Sequence, residues 1–329
     1  MQSLNLMIET GARLHFGPLS YRPEIGRHFG GIGLMIREPG VSLRFSADAD
    51  RNESNRSEES FSISDRSSRA YAIANAIRKA RPDWDRPIDL DVVSEIPSHQ
   101  GLGSGTQLSM AVAEGLASLH GVNDLSLREL ASLGGRGGRS TVGLHGYQTG
   151  GFLVDAGHAS GATMGDLACR IEFPDDWPVI LVTPPQSSGL SGEGEAEAFA
   201  ELSPMSQATT GELCRLVLTG ILPGIQSRVF SEFCIALQRY GDLVGEFFQE
   251  VQGGRYSHPE MENLAERVAQ LTDPVCLVQS SWGPTVAVFV EDDQSAQRLI
   301  ESLDADFVKK DWKVVRTSAF NAGRRLSLG

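Results

Sequence analysis

No CxxC pair occurs in this chain. Its four cysteines, Cys169, Cys214, Cys234 and Cys276, stand far apart and form no metal-ligand spacing. They read as buried thiols of a reducing compartment rather than as a disulfide framework. No apolar run approaches the length that crosses a bilayer, and the first thirty residues show no basic-then-apolar leader. A cytoplasmic location is therefore expected. A basic surplus is missing as well: the formal net charge of -13 argues against a non-specific nucleic-acid binder, while leaving room for a locally basic pocket. Internal repeats are absent. With 329 residues the chain can build two medium domains with proper cores.

Glycine, by contrast, is concentrated. The stretch Ile96–Gln107 carries Gly101, Gly103 and Gly105, interleaved with Leu102 and Ser104 and followed by Thr106 and Gln107. Leu108, Ala111, Val112, Gly115, Leu116 and Leu119 then recur at helical spacing, which predicts a buried helix from about Ser104 to His120. A glycine turn feeding a helix start gathers backbone N–H groups and the positive dipole end at one spot, and such a spot takes phosphate. The plainer reading is a tight turn that lets the helix pack on the strand before it. A second run holds eight glycines between residues 134 and 151, around Arg136, Arg139 and His145. Arginines so close to an expected strand at 152–155 favour a functional loop over a mobile linker. Arginine also grips phosphate or carboxylate with two parallel hydrogen bonds, which lysine cannot do.

Residues 4–19 alternate as a strand ended by Gly17 and Pro18, with Arg13 and His15 on one face; a solvated strand face is the simpler alternative. Arg27 and His28 precede glycines at 30, 31 and 33, a pattern that suits close approach to a ligand or a bulged hairpin. Residues 48–68 are polar and read as an exposed loop. Further helices are expected over 69–81, 126–133, 206–220, 226–251, 259–271 and 294–303. Further strands are expected over 41–47, 88–96, 179–183, 275–280, 285–290 and 312–317. Glu193, Glu195 and Glu197 alternate, so they face solvent at a helix start or meet a divalent ion.

Three segments, Ala12–Gly17, Ile96–Thr106 and Ser280–Val286, resemble in order the three motifs of the GHMP kinase superfamily. Within it, the chain is similar over nearly its full length to the beta-ribofuranosylaminobenzene 5'-phosphate synthase family, most specifically at Gly135-Arg-Gly-Gly-Arg-Ser140. The resemblance implies an α+β, GHMP-kinase-like two-domain fold. Residues 1–172 would form a domain like domain 2 of ribosomal protein S5, and 173–329 a ferredoxin-like α/β sandwich. Phosphoribosyl pyrophosphate and 4-aminobenzoate or 4-hydroxybenzoate would condense to a C-riboside phosphate, CO2 and pyrophosphate, in methanopterin-type cofactor biosynthesis. It implies catalytic work by Arg139, Arg136, His145, Arg13 and His15. Substrate contacts would come from Arg27, His28, Gly101, Gly103, Ser104, Gly105, Thr106, Gln107, Ser281 and Gly283. Mg2+ would be the cofactor, with Glu193 and Glu195 as candidate ligands and no organic cofactor, in a homodimer.

Kinases of the superfamily carry an aspartate seven residues before a Gly-Gly pair, where it assists phosphoryl transfer. Counting back from Gly150-Gly151 reaches Gly143. Arg13 and His15 likewise stand where those kinases have lysine and asparagine, and Thr141 replaces a glycine expected of the synthases. Two rivals remain: an ATP-dependent small-molecule kinase, which Gly143 disfavours, and a non-catalytic ligand sensor on the same fold.

Overall fold

The computed structural model describes residues 4–47, 61–63, 68–185, 201–307 and 311–329. Strand β1 (Leu4–His15) runs antiparallel to β2 (Gly31–Ala47), with a register shift between Gly11 and Ala12. Leu6, Ile8, Ala12 and Leu14 alternate along β1 into the core, so Arg13 and His15 emerge together on the other face. The long β2 serves several neighbours. Residues 42–46 pair with β4 (Ile88–Ser94), while residues 31–34 pair with β5 (Phe152–Asp155). Strand β6 (Leu167–Ile171) continues from β5, and β3 (Phe61–Ile63) lies parallel to β4. The stretch 48–68 is thus not loop throughout; Phe-Ser-Ile is too short an alternation to stand out from its polar flanks. Strand β11 (Arg325–Leu328) closes the other side by pairing with β1.

Helices α1 (Ser68–Ala80), α2 (Ser104–Leu119), α3 (Leu127–Leu133) and α4 (Val142–Thr149) accompany this first sheet, and α2 packs on β1 and β2. The Ser126 side chain accepts from the Glu129 N–H while the Glu129 carboxylate accepts from the Ser126 N–H, a reciprocal cap that starts α3.

The second sheet is antiparallel, in the order β10 (Lys313–Thr317), β7 (Val179–Thr183), β9 (Val286–Phe289), β8 (Leu277–Gln279). Its inner strands β7 and β9 are apolar on both faces because both are covered, whereas the edge strand β10 exposes Lys313 and Arg316. Val179, Leu181, Ala287 and Phe289 join the main core with Phe233, Leu237 and Tyr240 of α7 (Phe230–Gln252). Ile180, Val182, Val286 and Val288 meet α8 (Met261–Ala269) and α9 (Asp293–Asp306) on the other side. The helix expected over 206–220 is instead α5 (Gln207–Leu216), a π-helical turn (Val217–Ile221) and α6 (Leu222–Gln226). Pro223 has no N–H to donate to the preceding turn, and the widened turn before it absorbs that loss.

All four cysteines are free thiols. Cys234 and Cys276 are buried as expected, but Cys169 and Cys214 are only half-buried.

Candidate active site

The glycine turn at 101–105 is fixed from three sides before it meets any ligand. The Arg13 N–H donates to Leu102 O at 3.0 Å, tying the turn to β1. The Ser280 hydroxyl donates to Gly101 O at 2.8 Å and accepts from the His15 N–H at 3.1 Å, so one serine holds turn and strand together. Gly283 and Gly101 lie backbone to backbone: a Cβ on Gly283 would come within 2.1 Å of the Gly101 nitrogen. The first, second and third motifs therefore meet at one point.

Gly103 caps α2 in the left-handed region at φ 72°, a conformation that glycine adopts without strain. The N–H groups of Thr106 and Gln107 both turn back to Gly103 O at 3.1 Å. Thr106 is thereby removed from the set of amides expected to face an anion, which leaves Gly103, Ser104 and Gly105 at the helix end. Arg13 lies against Gly103, and the Arg136 guanidinium lies against Gly105 while its Nε donates to Ser109 Oγ at 3.1 Å. Partial burial, then the charges of Arg69 and Arg139, lower the Arg136 pKa. Arginine remains charged throughout the physiological range.

A cavity of about 400 Å³ lies beside them; its lining includes Arg13 and Arg136 but, of the turn and helix start, only Thr106. Arg13, His15, Thr106, Arg136, Arg139 and Ser281 line it, as do Phe29, Phe248 and Trp282. His15 is held well below the usual histidine pKa by burial and then by the Arg13 charge, so its ring is neutral at pH 7. Its Nε2 has no hydrogen-bond partner among the described residues.

The other expected site residues lie elsewhere. Gln107 is fully buried as a strut, accepting from Thr10 Oγ1 and donating to Gly143 O, both at 2.8 Å. Ser104 accepts from Arg69 at 3.4 Å. His145 is buried with Nε2 at 3.0 Å from Gly165 O. Arg27 pairs with Asp166 at 2.7 Å and donates to Gly157 O, and His28 accepts from the Arg22 N–H at 2.9 Å. Arg27 borders a different groove, beside Ile25 and Leu218. Glu193, Glu195 and Glu197 lie outside the described residues. Among the described residues, no three His, Cys, Asp or Glu gather as metal ligands.

Several supporting residues escape a reading of the sequence. His158 Nε2 sits 2.6 Å from Arg139 O and so pins the arginine loop. Buried Asp155 accepts from the N–H of Thr141 at 2.7 Å and of Gly157 at 2.8 Å, holding the start of α4. Phe248 lies near the C-terminal end of α7, where it is indistinguishable in sequence from a core residue. Ser280 alone had a signal, its place in the third motif.

Gly143 lies in the first turn of α4, and the nearest atoms to a Cβ there would be Thr106 Cγ2 at 3.4 Å and Arg13 Nε at 3.6 Å. Gly143 is not itself in the cavity lining, but it neighbours two residues that are, Thr106 and Arg13.

Comparison with known proteins agrees with this geometry. Residues 68–152 match the GHMP kinases N terminal domain, and residues 221–309 match the GHMP kinases C terminal. The beta-ribofuranosylphenol 5'-phosphate synthase of Archaeoglobus fulgidus is 30% identical, over 97% of this chain and 98% of the relative. The protein of the same name from Methanothermobacter thermautotrophicus is 30% identical, over 86% and 88%. Among solved structures, MDDEF in complex with MVAPP, AMPPCP and magnesium shares the fold with a TM-score of 0.65, at 15% identity over 100% of both chains. The α+β fold is that of the GHMP kinases, and the chain belongs to the beta-ribofuranosylphenol 5'-phosphate synthase family.

Proposed function

We propose that this protein condenses phosphoribosyl pyrophosphate with a para-substituted benzoate, releasing CO2 and pyrophosphate, as a decarboxylating phosphoribosyltransferase of methanopterin-type cofactor biosynthesis. One observation supports the reading: Arg13, Arg136 and Arg139 line a cavity together with Thr106 of the helix start, and Gly143, where the kinases carry their acid, lies beside Arg13 and Thr106 without a side chain. Phosphoryl transfer to an alcohol calls for a group that accepts the hydroxyl proton. Ribosyl transfer to a ring carbon needs a cradle for the departing pyrophosphate, and the arginines around the cavity favour one.

Displacement at the anomeric carbon gives cationic character to the sugar and negative charge to the leaving group. The amides at Gly103–Gly105, with Arg13, Arg136 and Arg139, suit that charge, since preorganised donors act most strongly on charge that develops in the transition state. The ring carbon bearing the carboxylate attacks, activated by the para substituent; the names of the relatives favour a hydroxyl. Loss of CO2 restores the aromatic ring.

Mg2+ fits this reading as an ion carried on the pyrophosphate oxygens, the mode in which it takes few protein ligands; no step is assigned to it. The division at 172/173, a cytoplasmic location and a homodimer belong to the same reading. The experiment is direct. Phosphoribosyl pyrophosphate and carboxyl-labelled 4-hydroxybenzoate should yield CO2 and pyrophosphate in equal amounts, without ADP formation from ATP and an alcohol. Pyrophosphate release with the carboxyl group retained would mean attack by the para substituent instead.

A further inference from the structure

The cavity has a second chemistry besides its positive charge. Phe29 precedes β2, Phe248 belongs to α7, and Trp282 sits in the turn between β8 and β9, yet all three border the same space. Phe248 and Trp282 are buried and meet edge to face at 5.1 Å. Phe29 and its neighbour on the wall, Ser281, adopt left-handed backbone conformations at φ 66° and 57°. Such conformations are strained for residues with a side chain and collect at ligand sites. A ribose phosphate gains little from three aromatic side chains, whereas a flat benzoate ring packs well among them.

Beside this wall stands His15, only 8% exposed, with Nε2 lacking any partner among the described residues. A buried polar atom left unsatisfied is costly, and because His15 belongs to the cavity lining, a ligand there is the natural source of its partner. We propose that Phe29, Phe248 and Trp282 hold the benzoate ring, and that His15 Nε2 takes the proton of its para hydroxyl as the ring attacks.

The inference rests on the synthase reading, and its electron count closes. The carboxylate-bearing carbon bonds to the anomeric carbon, while the anomeric C–O bond breaks and its electron pair leaves with pyrophosphate. The hydroxyl gives its proton to Nε2, turning the ring into a dienone. The bond to the carboxylate then breaks, releasing CO2, and its electron pair restores the aromatic ring. The phenolate oxygen finally takes the proton back. The weak basicity of His15 suits both halves of this exchange. The hydroxyl becomes strongly acidic as the ring gives up electrons, and an imidazolium beside Arg13 returns its proton readily.

The test compares two substrates in the intact chain. 3,5-Difluoro-4-hydroxybenzoate is already a phenolate at neutral pH and has no proton to give. His15→Gln should lower kcat on 4-hydroxybenzoate by about 100-fold or more, the usual contribution of a positioned base, but on the difluoro substrate by less than about tenfold. His15→Asn serves as the second variant should the first fail to fold. Equal losses on both substrates would overturn the role of His15. Trp282→Leu and Phe248→Leu should raise KM for 4-hydroxybenzoate by about tenfold while leaving KM for phosphoribosyl pyrophosphate within about twofold. A rise confined to phosphoribosyl pyrophosphate would overturn the aromatic subsite. A wild-type chain that releases no CO2 from either benzoate would sink the synthase reading itself, a result distinct from all of these.

Discussion

Gly143 carries more meaning than any other single residue here, because nothing steric demands it. Its φ is not left-handed and the nearest atoms to a Cβ stand at 3.4 and 3.6 Å, ordinary contact distances. Gly143→Asp should therefore fold, with a thermal midpoint within about 2–3 °C of the wild type. The new carboxylate would meet Arg13 and compete with the pyrophosphate for it, so CO2 release should fall about 100-fold. Thermal melts and a CO2 assay on one sample separate the two effects. Arg139 makes the complementary case. It is exposed at the cavity rim, so Arg139→Ala should shift stability by no more than about 0.5 kcal/mol. Turnover should drop by the equivalent of about 3 kcal/mol in the barrier. Arg139→Lys should recover only part of it, because the bidentate fork is lost. A large fall in melting temperature for Arg139→Ala would make the residue structural instead.

At the scale of elements, the turn carrying the third motif acts as a clamp on the phosphate loop. Gly283→Ala drives a methyl group to within 2.1 Å of the Gly101 nitrogen, a backbone atom that cannot step aside. The loop must move, and KM for phosphoribosyl pyrophosphate should rise at least about tenfold, measured from initial rates with 4-hydroxybenzoate saturating. The elements were legible in outline, since the glycine pattern around Ile96–Gln107 marks both the turn and the start of α2, and Ser126 was one of two candidate caps, with Asp124, for α3. Helix α4 was not legible. Its sequence holds Gly143 and Gly146, poor helix formers, and it forms because glycine lets it lie flat on its neighbours. A Cβ at Gly146 would meet Met35 Sδ at 2.5 Å, and Gln107 donates into the Gly143 carbonyl. Arg136 and Arg139 stood out because polar residues among glycines are conspicuous, whereas Arg13 and His15 read as a solvated strand face until the family resemblance singled them out. Phe248 did not, because an aromatic in an amphipathic helix reads as core until α7 is seen beside the site.

Over the whole molecule, histidine sets the acid limit of stability. His15, His28 and His120 all have pKa values lowered from 6.5, in each case chiefly by burial. Below that value the unfolded chain binds more protons than the folded one at these positions. Stability should therefore fall as pH drops below about 6.5, and these groups should contribute no slope above it. Urea midpoints between pH 5 and 8 check the sign, and His15→Asn should flatten the acid limb. A midpoint that rises on acidification would contradict these burial effects. Larger connections were beyond the reach of local pattern. Arg324 makes a two-pronged contact with Glu114 at 2.8 and 3.1 Å, and Glu114 also accepts from Tyr147 at 2.5 Å. This network joins the end of the chain to α2 and α4, and no spacing in the sequence announces it.

Strand β1, which presents Arg13 and His15, owes its outer neighbour to Arg325–Leu328. A ribosome releases the chain from the other end, at about 5–20 residues per second. Leu6–Glu9 therefore wait on the order of tens of seconds for the segment that will cover their open edge. An uncovered strand edge is a template for pairing with any other chain that passes. The nascent protein is thus exposed to mispairing along the very strand that will later hold the glycine loop.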